Sequence, residues 1–565
     1  MVQPAVVPLL DAAGARAGDE AAVEAGDTWA GLMDRAAGHL ARGIVAAGGH
    51  GYGLRVAIVV GKGNNGGDGW AAARRLREHG AMAWVVAVDG SDVEVSDEAA
   101  ANRAAWIDGG GRTSDGLADL DAALAWCDVA VDALLGTGTR GAPRGAAGAG
   151  VAALRRAHGT GTVVVACDIP SGVSADDGSA APDAAVVADV TVTFGGLKRG
   201  LLLHPGAAHA GRVRVGDLGP RYDPGETTWD VLAPAGATPT RWDAATDKRG
   251  RGTALVVAGA SGTSGAAALT ASGALAAGAG LVTAAVPATV RTDVAAGADP
   301  GVMVHALPAD EQGAVDAAAV HALPNLDAVD VVVAGPGLGY GPGAAAVVAA
   351  LRRDARRLVL DADALNVHRD APEALAEHRG DLVLTPHERE LARIGGGSDG
   401  HDAWEHRVER TPALARSLDA TIVVKGPGTM VVAPDGRVWV GPLGGPELGS
   451  GGTGDALAGI IGAAIAVADD VPLAVAQAVW WHAAAGEAAG RHAAGRATAT
   501  RLLAELPSVL AGLQEWSDRC GPGLAMRGPG LASGGDLPWD AWRMWQPGRV
   551  PTDVGRAGLP RSTAR

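Results

Sequence analysis

Lysine is nearly missing from this chain: of 47 basic residues only Lys62, Lys198, Lys248 and Lys425 are lysines, so each compact ammonium group draws notice. Cysteine is as scarce. Cys127, Cys167 and Cys520 lie far apart and form no CxxC pair, which excludes a disulfide framework and a thiolate zinc site and fits a reducing, cytoplasmic setting. Positive charge is in deficit too. A net charge of −16 and the lack of a basic stripe interleaved with aromatics argue against nucleic acid as the main partner. No basic start leads into an apolar run, so the N-terminus does not read as a secretion signal. The long uncharged stretch 266–290 is rich in Ala, Gly, Ser and Thr and broken by Pro287, which predicts a buried helix and a strand rather than a membrane span.

What is present is folded, glycine-rich α/β sequence. At 565 residues and 48% hydrophobic content, two or three domains are expected. The most informative stretch is 449–464, GSGGTGDALAGIIGAA. Glycines let consecutive backbone N–H groups converge, and the helix start adds partial positive charge, so the loop is shaped for an anion such as phosphate. No Lys follows Gly454, so it is not a Walker A loop. Asp455 at its end either favours the first helical turn or takes a proton from an attacking hydroxyl.

Taken in order, 19–47 has helical spacing, 54–61 is a buried strand, and GKGNNGGDG leads into a helix and a second strand, AWVVAVDG. This is a strand, helix, strand unit of the doubly wound kind. Gly61, Gly63, Gly66 and Asp89 satisfy a dinucleotide fingerprint. The crowding of Asn64, Asn65 and Asp68 instead suits a hard cation or ribose hydroxyls. DVAVDALLGTGTRGAP then ends a strand at Asp132 and opens a second glycine loop, Gly136 to Ala142, whose backbone donors suit phosphate. TVVVACDIPSGVS places Asp168 and Ser171 at the end of the next strand. In an open parallel sheet ligands collect beyond the carboxyl ends of the strands, so Asn65, Asp132, Gly136, Asp168 and Ser171 are expected to converge, although each acid alone also suits a cap or turn.

With GNNGGDG, DALLGTG, DIPSG and FGGLKRGLLLHPG in place, residues 54–221 resemble the NAD(P)H-hydrate epimerase domain. The resemblance implies that Asn64, Asn65, Gly66, Gly67 and Asp68, with Gly136, Thr137, Gly138, Thr139, Arg140, Gly141 and Ala142, hold the dinucleotide hydrate. It implies that Asn65, Asp132 and Ser171 coordinate potassium and that Asp168 lies at the nicotinamide ring as the catalytic group. LMDRAA at 32–37 departs from the family's more usual LMENAG.

The epimerase-like domain is expected over 1–224, followed by a linker at 225–246, which is rich in Pro, Gly and Thr and has no period. A second α/β domain is expected over 247–510. VDVVVAGPGLGYGPG feeds a strand into a turn of Gly335, Gly337 and Gly339, and LVLDADALN ends a strand with Asp361 and Asp363, which suit magnesium, a ligand hydroxyl or a turn. In DLVLTPHERELARI, Thr385, Pro386 and Glu388 read as a capping box, leaving His387 catalytic, ligand-binding or merely exposed. IVVKGPGT puts Lys425 at a strand end as a compact charge against phosphate. WWHAAAGEAAG reads as a small-residue packing helix.

GSGGTGD, TPHERE, DADALN, KGPGT and GPGLG together make 248–510 similar to the ADP-dependent NAD(P)H-hydrate dehydratase, of the ribokinase-like fold group. This implies a Rossmann-like doubly wound domain followed by a ribokinase-like α/β domain. It implies that Ala266, Gly337, His387 and the catalytic Asp455 contact the hydrate, while Lys425, Gly426, Pro427, Gly428, Thr429 and Gly454 contact ADP, which enters with Mg2+. The implied substrates are NADHX and NADPHX, the C6-hydrated forms, which are epimerised and then dehydrated with release of AMP and phosphate. A homo-oligomer is expected, with no membrane partner. The alternative is a ribokinase-like small-molecule kinase with a non-catalytic N-terminal ligand-binding module. The tail 511–565, rich in Pro, Gly and Arg with scattered Trp, is expected to be disordered.

Overall fold

A computed structural model of the chain describes residues 6–223, 225, 227–395, 406–491 and 493–520. Its first sheet has seven parallel strands, in the order Arg112–Asp115, Met82–Ala87, Arg55–Val60, Val129–Ala133, Val163–Cys167, Val190–Phe194 and Arg212–Gly216. The order reverses between Arg55–Val60 and Val129–Ala133, and a crevice at such a switch point is where doubly wound sheets bind ligands. The inner strands are almost wholly apolar and buried because helices cover both faces, giving two apolar clusters, one around Leu40, Ile58 and Trp70 and one around Trp84, Leu134 and Leu154. The helix read over 19–47 is two helices, Ala12–Glu24 and Trp29–Gly48. Thr28 caps the second through a bond from the Gly31 N–H.

The second sheet has twelve strands and does not stop at the expected domain boundary. Seven parallel strands run from Met303–Leu307 through Leu281–Pro287, Thr253–Val257, Val331–Ala334, Arg357–Leu360 and Asp381–Leu384 to Ala420–Val424. The antiparallel strands Met430–Val432 and Val438–Val440 follow. Beyond them lie Trp229–Leu232, then Val6–Leu10 and finally the two-residue strand Leu197–Lys198.

The stretch read as a linker therefore contains a strand, Trp229–Leu232, inserted between Val438–Val440 and Val6–Leu10. One apolar cluster crosses the join, burying Leu9, Leu197 and Leu203 together with Trp229, Val431 and Trp439. The helix Ala499–Cys520 runs ten residues into the stretch expected to be disordered from 511, because Leu513 on it is buried against the second unit. Residues 521–565 lie outside the described residues. Among the described residues no helix is long and apolar enough to cross a membrane; 266–290 contains most of the helix Ser264–Ala276 and the strand Leu281–Pro287, as expected.

Candidate active sites

The first candidate site lies at the switch point of the seven-stranded sheet. The helix Asn64–Glu78 starts directly after Arg55–Val60, and its glycines serve close approach: a Cβ on Gly66 would lie 2.0 Å from the Gly61 carbonyl, and one on Gly67 would lie 2.8 Å from Met33 Cε. Asn65 is buried and its Nδ2 donates to the Leu135 carbonyl at 2.9 Å. Gly136 abuts it, since a Cβ there would lie 3.5 Å from Asn65 Cβ. Thr137 and Thr139 are half-buried, Gly138, Arg140, Gly141 and Ala142 exposed, and Arg140 reaches Asp176 at 3.2 Å.

Asp132 is fully buried. It accepts from the Ser171 N–H at 2.7 Å, the Ser171 hydroxyl at 2.6 Å and the Leu134 N–H at 3.3 Å. Burial pushes its carboxyl up to about 6, against the pull of the Ser171 bonds. Asp168 holds a left-handed backbone at φ 63°, a conformation that costs a non-glycine residue free energy. Its Oδ1 accepts from Lys198 Nζ at 2.6 Å, the Thr193 hydroxyl at 3.0 Å and the Phe194 N–H at 3.2 Å. Asn65, in the first turn of its helix, and Asp132, near the end of its strand, thus lie with Gly136, Asp168 and Ser171 at the carboxyl ends of neighbouring strands.

Two residues here carried no sequence signal. Asp19, on the helix Ala12–Glu24, is pushed up to about 6, first by burial and then by Asp168, against the pull of Lys198. Tyr222 lies between that helix and the turn after Phe194, since a Cβ on either Gly18 or Gly195 would fall within 2.5 Å of its ring. The departure at 32–37 is absorbed elsewhere: Asp34 pairs with Arg75 at 2.5 Å, and Arg35 pairs with Asp27 and donates to the Leu218 carbonyl.

The second candidate site forms where the strands of the larger sheet end. Gly452, at φ 90°, turns the chain into the helix Thr453–Ala466, and Asp455 stands in its first turn. That helix meets Ser264–Ala276 so closely that a Cβ on Gly459 would lie 1.9 Å from the Thr270 carbonyl. Below the loop, the buried His482 Nε2 bonds the Thr453 carbonyl at 2.9 Å, and the Thr453 hydroxyl donates to the Leu448 and Ser450 carbonyls. Burial pushes His482 down to about 4, so it is neutral and braces the turn. WWHAAAGEAAG does pack closely, but its histidine is also a loop support.

Lys425 Nζ donates to Asp361 Oδ1 at 2.6 Å and lies 3.9 Å from Glu390. Burial works against its charge, but Asp361 and Glu390 outweigh it and hold it raised. The Thr385 hydroxyl also donates to Asp361 Oδ1, at 2.7 Å. A Cβ on Gly454 would lie 3.8 Å from Lys425 Nζ, so the glycine loop and the KGPGT strand end meet. Burial, then Asp361, push Asp455 up to about 6 although Lys425 pulls it down. Gly337, at φ 61°, bonds through its carbonyl to the Thr263 hydroxyl at 2.7 Å, one turn before Ala266, and the Gly339 N–H donates to Asp363 at 2.9 Å.

The capping box is shifted from the one expected on Thr385, Pro386 and Glu388. His387 is the N-cap: its Nδ1 accepts from the Arg389 and Glu390 N–H groups, and Glu390 bonds back to the His387 N–H at 2.9 Å. Thr385 is drawn to Asp361 instead, because each directly follows one of two paired strands in which Leu384 lies opposite Leu360. In the KGPGT loop, the Thr429 hydroxyl closes onto the Gly426 carbonyl at 2.8 Å, past Pro427. Gly428 faces the first unit, where a Cβ would lie 2.7 Å from the Leu202 carbonyl, and Arg407 donates to the His204 carbonyl at 2.6 Å.

Residues 254–508 match the family described as NAD(P)H-hydrate dehydratase, and 30–200 match the YjeF-related protein N-terminus family. A bifunctional NAD(P)H-hydrate repair enzyme of Moorella thermoacetica is 36% identical over 474 residues, covering 82% of this chain and 88% of that protein. One of the same name from Escherichia coli is 32% identical, covering 72% of this chain and 75% of its own length. A solved ADP/ATP-dependent NAD(P)H-hydrate dehydratase from Bacillus subtilis, co-crystallized with ATP and Mg2+, is 27% identical at a TM-score of 0.43, covering 49% of this chain and 96% of that one. The chain belongs to the family of bifunctional NAD(P)H-hydrate repair enzymes.

Proposed function

We propose that the first unit interconverts the two C6 epimers of NADHX and NADPHX, and that the second dehydrates the S form to NADH or NADPH with ADP, releasing AMP and phosphate. Hydration at C6 creates a stereocentre, and a dehydratase acting on one epimer strands the other. The epimerase removes that block.

In the first unit, Asp168 assists reversible loss and return of the C6 hydroxyl, while Asn64 to Asp68 and Gly136 to Ala142 hold the phosphates and ribose. The donors around Asp132 suit potassium: a single carboxylate with no basic partner among the described residues, the Ser171 hydroxyl, the Asn65 amide and the Leu135 carbonyl. Oxygen donors with one net negative charge match a monovalent hard cation. Among the described residues no group of three or more His, Cys, Asp or Glu side chains is arranged to hold a metal. Asn65, Asp132 and Ser171 would hold potassium, whose positive charge would favour the ionised form of Asp132.

In the second unit, Asp455 takes the proton of the C6 hydroxyl, whose oxygen attacks the terminal phosphoryl group of ADP and displaces AMP. The N–H groups of the glycine loop lie where charge develops on the phosphoryl oxygens. The C6–O bond then breaks, pushed by the ring nitrogen's lone pair, and loss of a C5 proton leaves the dihydronicotinamide and inorganic phosphate. Lys425 to Thr429 and Gly454 bind the nucleotide, with Ala266, Gly337 and His387 at the hydrate. Asp361 is engaged by Lys425 and Asp363 by the Gly339 N–H, so Mg2+ would arrive with the nucleotide and would supply charge to its phosphates.

The observation that carries this reading is Asp455, raised to about 6 in the first turn of a glycine-loop helix beside Lys425. Assay of purified protein with mixed epimers and ADP tests it. Restored dihydronicotinamide absorbance matched by phosphate release supports it, whereas a phosphorylated product that keeps its phosphate would identify a kinase. Homo-oligomer assembly and cytoplasmic placement accompany the proposal and are checked by light scattering and fractionation.

A further inference from the structure

Lys198 has no role in the mechanism so far, yet it is one of four lysines and is only 2% exposed. A buried ammonium needs every proton engaged. Here all three are: Nζ donates to Asp168 Oδ1 at 2.6 Å, the Phe194 carbonyl at 2.7 Å and the Thr193 hydroxyl at 3.0 Å. With no proton left over, it is not placed to bind a substrate phosphate. The Thr193 hydroxyl in turn donates a hydrogen bond to the same Asp168 Oδ1, and the Phe194 N–H adds a third donor. Every protein donor described for the Asp168 carboxylate therefore falls on one oxygen, and none among the described residues reaches Oδ2.

We infer that Lys198 is the positioning residue of the epimerase site: together with Thr193 and the Phe194 N–H it clamps Asp168 by Oδ1 so that Oδ2 alone meets the C6 hydroxyl and the returning water. The backbone supports this. Asp168 departs from its strand in a left-handed conformation, which aims a side chain where an extended residue would not, and such a conformation persists only where its surroundings fix it. Lys198 is fixed in turn because Leu197–Lys198 is itself a strand, paired with Leu9–Leu10.

The clamp also selects among acids. Asp19 from the helix Ala12–Glu24 and Asp68 from Asn64–Glu78 interact with the same ammonium, and burial pushes both up. Tyr222 and Cys167 complete the titratable groups facing the cluster, and burial raises each of them as well. Of the three carboxylates, Asp168 alone is hydrogen-bonded to Lys198. Asp168 is thus the one carboxylate of the three that the ammonium holds in place.

The inference rests on the reading of Asp168 as the catalytic group, so the test runs Lys198→Met, Lys198→Ala, Thr193→Val and Asp168→Asn side by side in the full chain. Each is assayed for epimerisation of the R form, and for ADP-dependent dehydration of purified S form as an internal check on folding. Misplacement of a catalytic group costs about a hundredfold in rate. Lys198→Met is expected to lower the epimerisation kcat about that much with KM changed less than about threefold, and Thr193→Val about tenfold, with dehydration retained. Methylamine or ethylamine should restore about tenfold of the Lys198→Ala loss by placing a small ammonium in the vacated space. Loss through KM alone, unchanged kcat, or kcat loss with no response to amines overturns the inference. If Lys198→Met also loses dehydration, Thr193→Val and the amine titration decide. If Asp168→Asn epimerises normally, the reading of Asp168 has failed; if it is inactive while Lys198→Met is not, only the clamp has failed.

Discussion

Each unit of this protein contains a lysine whose ammonium lies 2.6 Å from an aspartate, Lys198 on Asp168 and Lys425 on Asp361. Lys62 and Lys248 are exposed. Two of four lysines thus do the same local thing at the ends of two sheets, but the partner differs. In the epimerase unit the bonded carboxylate is Asp168, the one we propose for the reacting centre. In the dehydratase unit the lysine is held by Asp361 and Thr385 shares that oxygen; Asp455 is left without the ion pair, and burial, then Asp361, push it up to about 6. A bonded carboxylate is fixed in place; an unbonded, desolvated one is a stronger base. The first suits a reaction in which water leaves and returns, the second one in which a hydroxyl must be deprotonated once.

The largest expected effect tests the dehydratase side. Asp455→Asn should lower kcat for dehydration by roughly 10²–10⁴, the usual worth of a general base, while epimerisation continues. Equal loss of both activities would show that the two sites do not work separately. Next comes the packing that holds the glycine loop: Gly459→Leu puts a side chain where even a Cβ lies 1.9 Å from the Thr270 carbonyl. Destabilisation of about 1–3 kcal/mol or more is expected in thermal melts, with dehydration lost before epimerisation on heating.

A subtler break comes from pH. Because burial, then Asp361, raise Asp455 to about 6, its basic form is lost as pH falls through that value, and kcat/KM for dehydration should fall tenfold per unit below it. Asp361→Asn removes a repelling charge and releases Lys425 toward Asp455, so the acid limb should move down. An upward move would mean that Lys425 acts only on Asp361. The smallest effect concerns the cation. Since Asp132 is raised to about 6, protons compete with potassium below that pH, and KCl should raise the melting temperature more at pH 8 than at pH 5, by about 2–4 °C at tenfold over Kd relative to choline chloride. Equal shifts at both pH values would place the cation elsewhere.

Much of this was legible in the letters. Most strands of both sheets stand out as short apolar runs, and their carboxyl ends collect Asn65, Asp132, Asp168 and Ser171 in one place and Asp361, Lys425 and Asp455 in another, because parallel strands all point their carboxyl ends the same way. What escaped was set by long-range contact. Trp229–Leu232 is four residues in a Pro- and Gly-rich stretch, and nothing local says that it will pair with Val6–Leu10 and Val438–Val440. The cap at His387 rather than Thr385 follows from Asp361, 24 residues earlier, claiming the threonine hydroxyl. Lys198 was conspicuous by composition, but its tie to Asp168 spans 30 residues and a change of strand. Asp19 gave no sign at all, since an acid on an amphipathic helix ordinarily faces water.

The strand Val6–Leu10 has one more implication. It begins the epimerase half yet lies in the sheet of the other, between Trp229–Leu232 and the short strand bearing Lys198. Cutting the chain near residue 246 would strip the dehydratase half of three strands and leave Val438–Val440 as an open, aggregation-prone border. The two catalysts are therefore joined by woven backbone rather than by a tether, and a gene split at that point would yield fragments that must find each other again to be whole.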